Sequence, residues 1–306
     1  MKRYAVCVLL LTWVAALPAA ASVRGSFERS YSVNGQVNLE VLTRSGDIIV
    51  KPGPTGSVTI RGKIFIGDHL WEHWSSEKPP EVADLEKDPP IQQNGNSINI
   101  EYVPVHNVSI DYEITVPPDT KLRTRTGSGD QSIEGLRTAA DLESGSGDLR
   151  LTDMAGGLRL QTGSGNVEAR EVDGPFSADA GSGDITLDSK GRGDVQVHTG
   201  SGDIRLRGVN GALRVEAGSG DVDIEGKQTG SWEMRTGSGN VEVRLPSDAA
   251  FELDAATSSG ELVVDHPVTM TVQGNVRGSH RQVEGKVRGG GPQMLIRTSS
   301  GDVHLY

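Results

Sequence analysis

Between Gly127 and Asn240 the tetrapeptide Gly-Ser-Gly-Asp/Asn recurs seven times, starting at Gly127, Gly145, Gly163, Gly181, Gly200, Gly218 and Gly237, at steps of 18 or 19 residues. A period this short and regular restricts the chain to one supersecondary unit stacked on itself. It restricts function as well, because a motif present seven times is no unique catalytic centre.

With the first glycine of each copy as position one, position five reads Gln131, Leu149, Val167, Ile185, Ile204, Val222, Val241. Position seven reads Ile133, Leu151, Ala169, Leu187, Leu206, Ile224, Val243, and the residues between are mostly polar, as in Arg150, Glu168 and Arg205. That is period two, the pattern of a strand with one face inward. A second strand follows half a repeat later, as in Leu158-Arg159-Leu160 and Leu213-Arg214-Val215, and the residue before each Gly-Ser-Gly is small. One turn is nearly invariant while the other varies (153–157, 208–212, 226–231). Stacking each turn on its own copy explains this better than antiparallel hairpins do. Only two aromatics, Phe176 and Trp232, fall between Lys121 and Leu245, both at inward positions of the second strand, as a narrow core requires. The expected fold is all-β: a parallel β-solenoid, or β-helix, of two-strand repeats about 18 residues long.

Three segments are expected. Residues 1–21 read as a secretory signal peptide, with basic Lys2 and Arg3, an apolar run from Ala5 to Leu17, and Ala19-Ala20-Ala21 before Ser22. Residues 22–120 read as a β-rich capping part, interrupted at 67–96 by a loop or short-helix insertion carrying Trp71, Trp74 and two Pro-Pro pairs. Residues 121–306 read as the repeat solenoid, its last coils degenerate around Ser258-Ser259-Gly260-Glu261 and Ser299-Ser300-Gly301-Asp302, with an early echo at Ser45-Gly46-Asp47. The sole cysteine, Cys7, lies in the leader, so the exported chain has neither disulfides nor thiolate metal ligands. The full sequence has 30 basic residues against 41 acidic ones. Loss of the leader removes two basic residues and no acidic one, which argues against nucleic acid and anionic membrane surfaces as partners. No later stretch is long and apolar enough for a transmembrane segment. The expected location is outside the cytoplasm: periplasmic, cell-surface or extracellular.

The repeated acid, Asp130, Asp148, Asp184, Asp203 and Asp221, with Asn166 and Asn240 in the same slot, has two readings. Asp and Asn both close turns by bonding backbone N–H groups, and the Asn substitutions keep that role without charge. Alternatively the five aspartates are calcium sites, as in secreted RTX repeats, although those loops read G-G-x-G-x-D. Stacked carboxylates repel, so in either reading something must offset them. Arg150, Arg159, Arg205, Arg207 and Arg214 are the candidate lining of an outward binding face; the bland reading is that these charges only keep a long sheet soluble. Arg192-Gly193-Asp194 matches an integrin-type tripeptide in a chain full of Gly-Asp pairs and reads as chance. His69 and His73 lack a third metal ligand, and Trp71 with Trp74 reads as cover for the solenoid end. No nucleophile elbow, cysteine nucleophile or P-loop appears, and the turn serines have no recurring histidine to activate them. No catalytic residue and no organic cofactor is expected.

The Arg44-Ser45-Gly46-Asp47-Ile48 strand-turn, the strand Tyr112-Glu113-Ile114-Thr115-Val116-Pro117, the tandem Gly-Ser-Gly-Asp turns and the closing run from Gly289-Gly290-Gly291-Pro292 to Asp302-Val303 occur in this order. In that order they resemble the bacterial "putative adhesin" family of exported β-repeat proteins. The resemblance covers the chain from about Phe27 onward. It implies a β-solenoid in an envelope or extracellular setting, envelope stress being a second setting, and offers no catalytic residue to carry over. The expectation is an exported, non-enzymatic, adhesin-like binding or scaffold protein of the cell envelope, its partner a protein or glycan there. A calcium-binding RTX-like solenoid is the alternative, and a carbohydrate-active β-helix enzyme the third reading.

Overall fold

The chain, seen here as a computed structural model, is described for residues 23–67, 80–103, 107–269 and 282–306. The expected signal peptide, the His69/His73 pair and Trp71 with Trp74 lie outside those residues. Among the described residues the strands form two sheets, of thirteen and fourteen strands, with the hydrophobic core between them. From Lys121 to Val264 the chain alternates between the sheets. Strand Leu158–Ser164 lies in the larger sheet, a Gly-Ser-Gly turn leads to Val167–Asp173 in the smaller, and a variable turn returns the chain at Phe176–Ser182. Each strand pairs in parallel with its counterparts one repeat away. Leu158 lies beside Ala140 and Phe176; Val167 lies beside Leu149 and Ile185. This is the two-strand parallel β-solenoid expected from the period.

The 19-residue steps do not disturb the stack. Ile185 still pairs with Ile204 and Val222 with Val241, so each extra residue is absorbed in the variable turn. The Gly-Ser-Gly turn has no such freedom. A Cβ on Gly145 would lie 2.5 Å from the Gly127 carbonyl oxygen one rung below. One on Gly147, whose φ is +146°, would lie 2.1 Å from the Gly129 oxygen. Backbone stacks directly on backbone, so both positions require glycine. The small residue before each turn points inward, where Thr199 Oγ1 donates to the Gly183 carbonyl at 3.1 Å and Thr257 Oγ1 to Gly301 at 2.9 Å. A larger side chain there would displace that bond.

Phe176 and Trp232 are both buried, and Trp232 Nε1 donates to the Gly211 carbonyl at 3.0 Å. Gln131, the one polar residue in its inward column, is buried too; it accepts from Thr124 Oγ1 and donates through Nε2 to the Glu143 carbonyl at 2.8 Å. Its amide is satisfied on both sides, as a buried polar group must be.

At both ends the order of coils in space departs from their order in sequence. The coil made by Asn38–Ser45 and Ile48–Pro52 lies between the later coil of Ser97–Ile100 with Val108–Val116 and the one of Lys121–Ser128 with Gln131–Glu134. The sheets therefore run without a break across residue 120. At the other end Gln293–Ser300 and Val303–Leu305 enter between the coil of Trp232–Ser238 with Val241–Arg244 and that of Phe251–Ser259 with Leu262–Val264. The degenerate motifs thus do stack as coils, out of their order in sequence. Within the 67–96 insertion stand helix Pro80–Lys87 and strand Ile91–Asn94. The helix covers edge strand Val23–Ser32: Glu86 Oε1 accepts the Ser26 N–H at 2.8 Å, and Arg29 donates to the carbonyls of Glu86 and Lys87. An edge covered in this way cannot template a further strand.

Candidate functional site

The repeated Asp/Asn slot of the turn builds a continuous ladder along the stack. Its rungs run Asp111, Asp47, Asp130, Asp148, Asn166, Asp184, Asp203, Asp221, Asn240, Asp302, Glu261. The Oδ1 of each of the first ten accepts the backbone N–H of the next, at 2.8 to 3.0 Å. The N–H captured belongs to the next coil, not to the side chain's own turn, so the acid fastens coil to coil. Asn serves equally because only a carbonyl-type acceptor is needed. Asp111 was invisible to motif reading, since no Gly-Ser-Gly precedes it; only its place beneath Gly46 puts it on the ladder.

The second carboxylate oxygens are partly neutralised by arginines. Arg150 reaches Asp130 Oδ2 at 2.8 Å and Asp148 Oδ2 at 2.5 Å, and Arg205 reaches Asp203 at 2.6 Å and Asp184 at 3.9 Å. The bond from Arg150, with the N–H of Asp148, holds the Asp130 carboxyl below the usual carboxylate range. Asp111 goes the other way: burial, with the nearby Asp47 charge, pushes its carboxyl up. Asn166 and Asn240 interrupt the run of charge. Four of the five aspartates considered as calcium ligands thus have an arginine on their free oxygen, while Asp221 sits between Asp203 and Asn240. Among the described residues no three or more His, Cys, Asp or Glu side chains converge on a point suited to a metal.

The five arginines expected to share a face do not. Arg150, Arg205 and Arg207 project from strands of the smaller sheet, and Arg159 and Arg214 from strands of the larger. Outward position in a strand was legible from period two; which of two sheets carries that strand follows from half-repeat bookkeeping that the arginine set ignored.

Instead, the larger sheet offers a groove of about 790 Å³ that runs along the solenoid axis at the variable turn. Its floor is made largely by small or flat residues entering the strands, Ala139, Gly157, Pro175 and Ala212, over the buried Leu158, Phe176 and Leu213, with Asp194 entering the strand between the last two. It crosses seven rungs from Lys121 to Glu233, or about 29 Å at the usual strand spacing. Arg159 and Arg214 stand in its wall. Arg214 is tied to Glu216 at 2.5 Å and Glu233 at 3.0 Å. Arg159 makes no hydrogen bond or ion pair among the described residues, though its charge adds to the bond from Arg125 that holds Glu143 ionised. The missed signal was the small or flat residue one position before most of the second strands.

Asp194 of the Arg-Gly-Asp tripeptide uses Oδ1 to accept the Ala212 N–H at 3.0 Å, a rung bond like those of the ladder. That is a structural reason for the acid there. Among the described residues, His198 and His304 face Glu216 and Tyr306 and His266 packs on Phe251, so none pairs with a turn serine.

None of the curated proteins matches the chain. Among solved structures, a protein described as a "putative adhesin" from Bacteroides fragilis is similar at 16% identity and a TM-score of 0.43, over 92% of this chain and 97% of that one. A "putative cell adhesion protein" from Clostridium sporogenes is similar at 13% identity and a TM-score of 0.23, over 92% and 98%. The model of the Toastrack DUF4097 family matches twice, over residues 38–198 and 155–306. Between them these matches take in both sheets, the ladder and the groove, and the chain belongs to the Toastrack DUF4097 family.

Proposed function

We propose that the chain is an exported, non-enzymatic, adhesin-like scaffold of the cell envelope that holds a linear envelope glycan in the axial groove. The groove carries this reading: it is long, open, floored largely with apolar surface, and walled in part by Arg159, which makes no hydrogen bond or ion pair among the described residues. A peptide usually docks on a sheet by pairing with a free edge strand. This groove crosses the strands at right angles, so it offers no backbone ladder to a peptide and favours a polymer recognised by shape and side chains. The signal-like pattern of residues 1–21 supports export.

Gly157 supplies the test. A Cβ there meets nothing within 4 Å, so Gly157→Phe fills the groove without straining the fold. Residues 22–306 titrated calorimetrically against defined linear envelope glycans should bind at least one of them. Gly157→Phe should weaken that binding at least tenfold at unchanged melting temperature, and Arg159→Ala severalfold. Equal binding by Gly157→Phe would exclude the groove.

The calcium reading keeps one supporting observation, the column of carboxylates. Against it stands the use of every Oδ1 by a backbone N–H, so the proposed scaffold folds unaided. Circular dichroism should show full β signal in chelator and no rise in melting temperature across a calcium titration. A large rise would return the aspartates to the role of ion sites.

A further inference from the structure

The coil of Gln293–Ser300 and Val303–Leu305 fills a slot between two coils that precede it in sequence. It completes the ladder on both sides, Asp302 donating its N–H to Asn240 and accepting that of Glu261. Met294, Ile296, Val303 and Leu305 are fully buried there, and Arg297 pairs with Asp254 of the neighbouring coil. Without this coil, strands Trp232–Ser238 and Phe251–Ser259 would face each other two strand spacings apart, both with unpaired backbone. Such an opening is complementary to one kind of segment: a strand, a Ser-Gly-Asp turn and a second strand in parallel register.

The link into the slot is short and strained. Arg288, Gly289 and Gly290 have φ of 47°, 88° and 89° in succession, the first of them without the freedom of glycine, and Gly291 and Pro292 follow. A short strained hinge leading into a self-contained element is the usual setting for exchange of that element between copies, since opening the hinge relieves the strain and no contact is lost.

We propose that the slot between residues 232–244 and 251–264 also receives coil 293–305 of a second copy, so that two chains exchange these coils and form a closed dimer. Every contact of the closed monomer recurs in the dimer; only the hinge changes.

The exported chain has no cysteine, which makes the test clean. Glu242 and His304 lie directly opposite each other across the slot boundary, both outside the core. Residues 22–306 carrying Glu242→Cys and His304→Cys would be refolded over a hundredfold range of concentration, oxidised, and examined by sedimentation velocity and non-reducing gel. The expected result is a dimer whose fraction rises with concentration and whose disulfide joins two chains. Monomer at every concentration would overturn the proposal, and so would a dimer whose disulfide stays within one chain, because its interface would lie elsewhere. Deleting Gly289 and Gly290 should drive the equilibrium to dimer at least tenfold; a folded monomer lacking them would also overturn it. Should that deletion fail to fold, the disulfide experiment on the full-length hinge decides.

Discussion

The repeat body and the two ends of the stack hold together in different ways. Within residues 121–244 successive coils rest on one another in sequence order, and each interface repeats the last: the same glycine contact, the same rung bond, the same inward column. Stability there is a sum of nearly equal local terms. At the ends the outermost coil is not the first or last in sequence. The coil of residues 38–52 is held between 97–116 and 121–134, and that of 293–305 between 232–244 and 251–264. A solenoid that simply stopped would leave its last coil attached on one side and free to fray. Stitching one coil inward means that the outer coil cannot leave without parting from a segment locked beneath it.

Glycine should separate the two regions most sharply. In the body a Cβ on Gly183 would stand 2.0 Å from the Gly165 carbonyl oxygen at φ +147°. Gly183→Val should therefore cost about 3 kcal/mol or more in urea unfolding, enough to prevent folding in a marginal background. At the hinge Gly289 also has positive φ but open space around it, so Gly289→Ala should cost only about 1 kcal/mol. Equal costs would show that the turn stack is looser than its geometry.

The ladder gives the next effect. Asp184→Ala leaves the Asp203 N–H without its acceptor and should cost about 1–2 kcal/mol, whereas Asp184→Asn keeps the acceptor and should cost well under half of that. If coil-to-coil fastening matters more where coils are out of sequence, Asp302→Ala will exceed Asp184→Ala, since its loss loosens a coil that both neighbours need.

Charge gives the smallest. Because Arg150 depresses the Asp130 carboxyl in the folded protein, its contribution is fully present above the ordinary Asp range near about 4 and is lost as pH falls through the lower folded value. Arg150→Gln should thus be less stable than the parent by under about 1 kcal/mol at neutral pH, this pair being half exposed. The gap should close as the pH falls through the depressed folded value. A gap that persists in acid would assign the effect to packing of the arginine stem.

Much of this was legible before any coordinates. Period two with an 18-residue repeat gave two strands per coil because each strand buries one face only, and Phe176 and Trp232 were readable as inward from that alternation. The Asp/Asn interchange pointed to a neutral acceptor role, and the ladder has that chemistry, though the N–H it binds lies a full repeat away in sequence. The groove was not legible, because it is made by residues that are merely small, at a turn whose sequence varies. Nor was the arginine face, because outward side chains on successive strands of one coil end on different sheets.

Sequence by itself determined the coil: its length, its two strands, its inward columns and the glycines of its invariant turn. All of these depend on contacts between a residue and its equivalent one period away. Tertiary structure alone decided which coil lies next to which at the ends, and so that Asp111 and Asp302 are rungs and that residues 293–305 enter between earlier coils. Any coil bearing the same columns fits any slot about equally well, so local pattern cannot rank the neighbours. The choice falls to chain connectivity and to the covering of open sheet edges, which are properties of the whole stack.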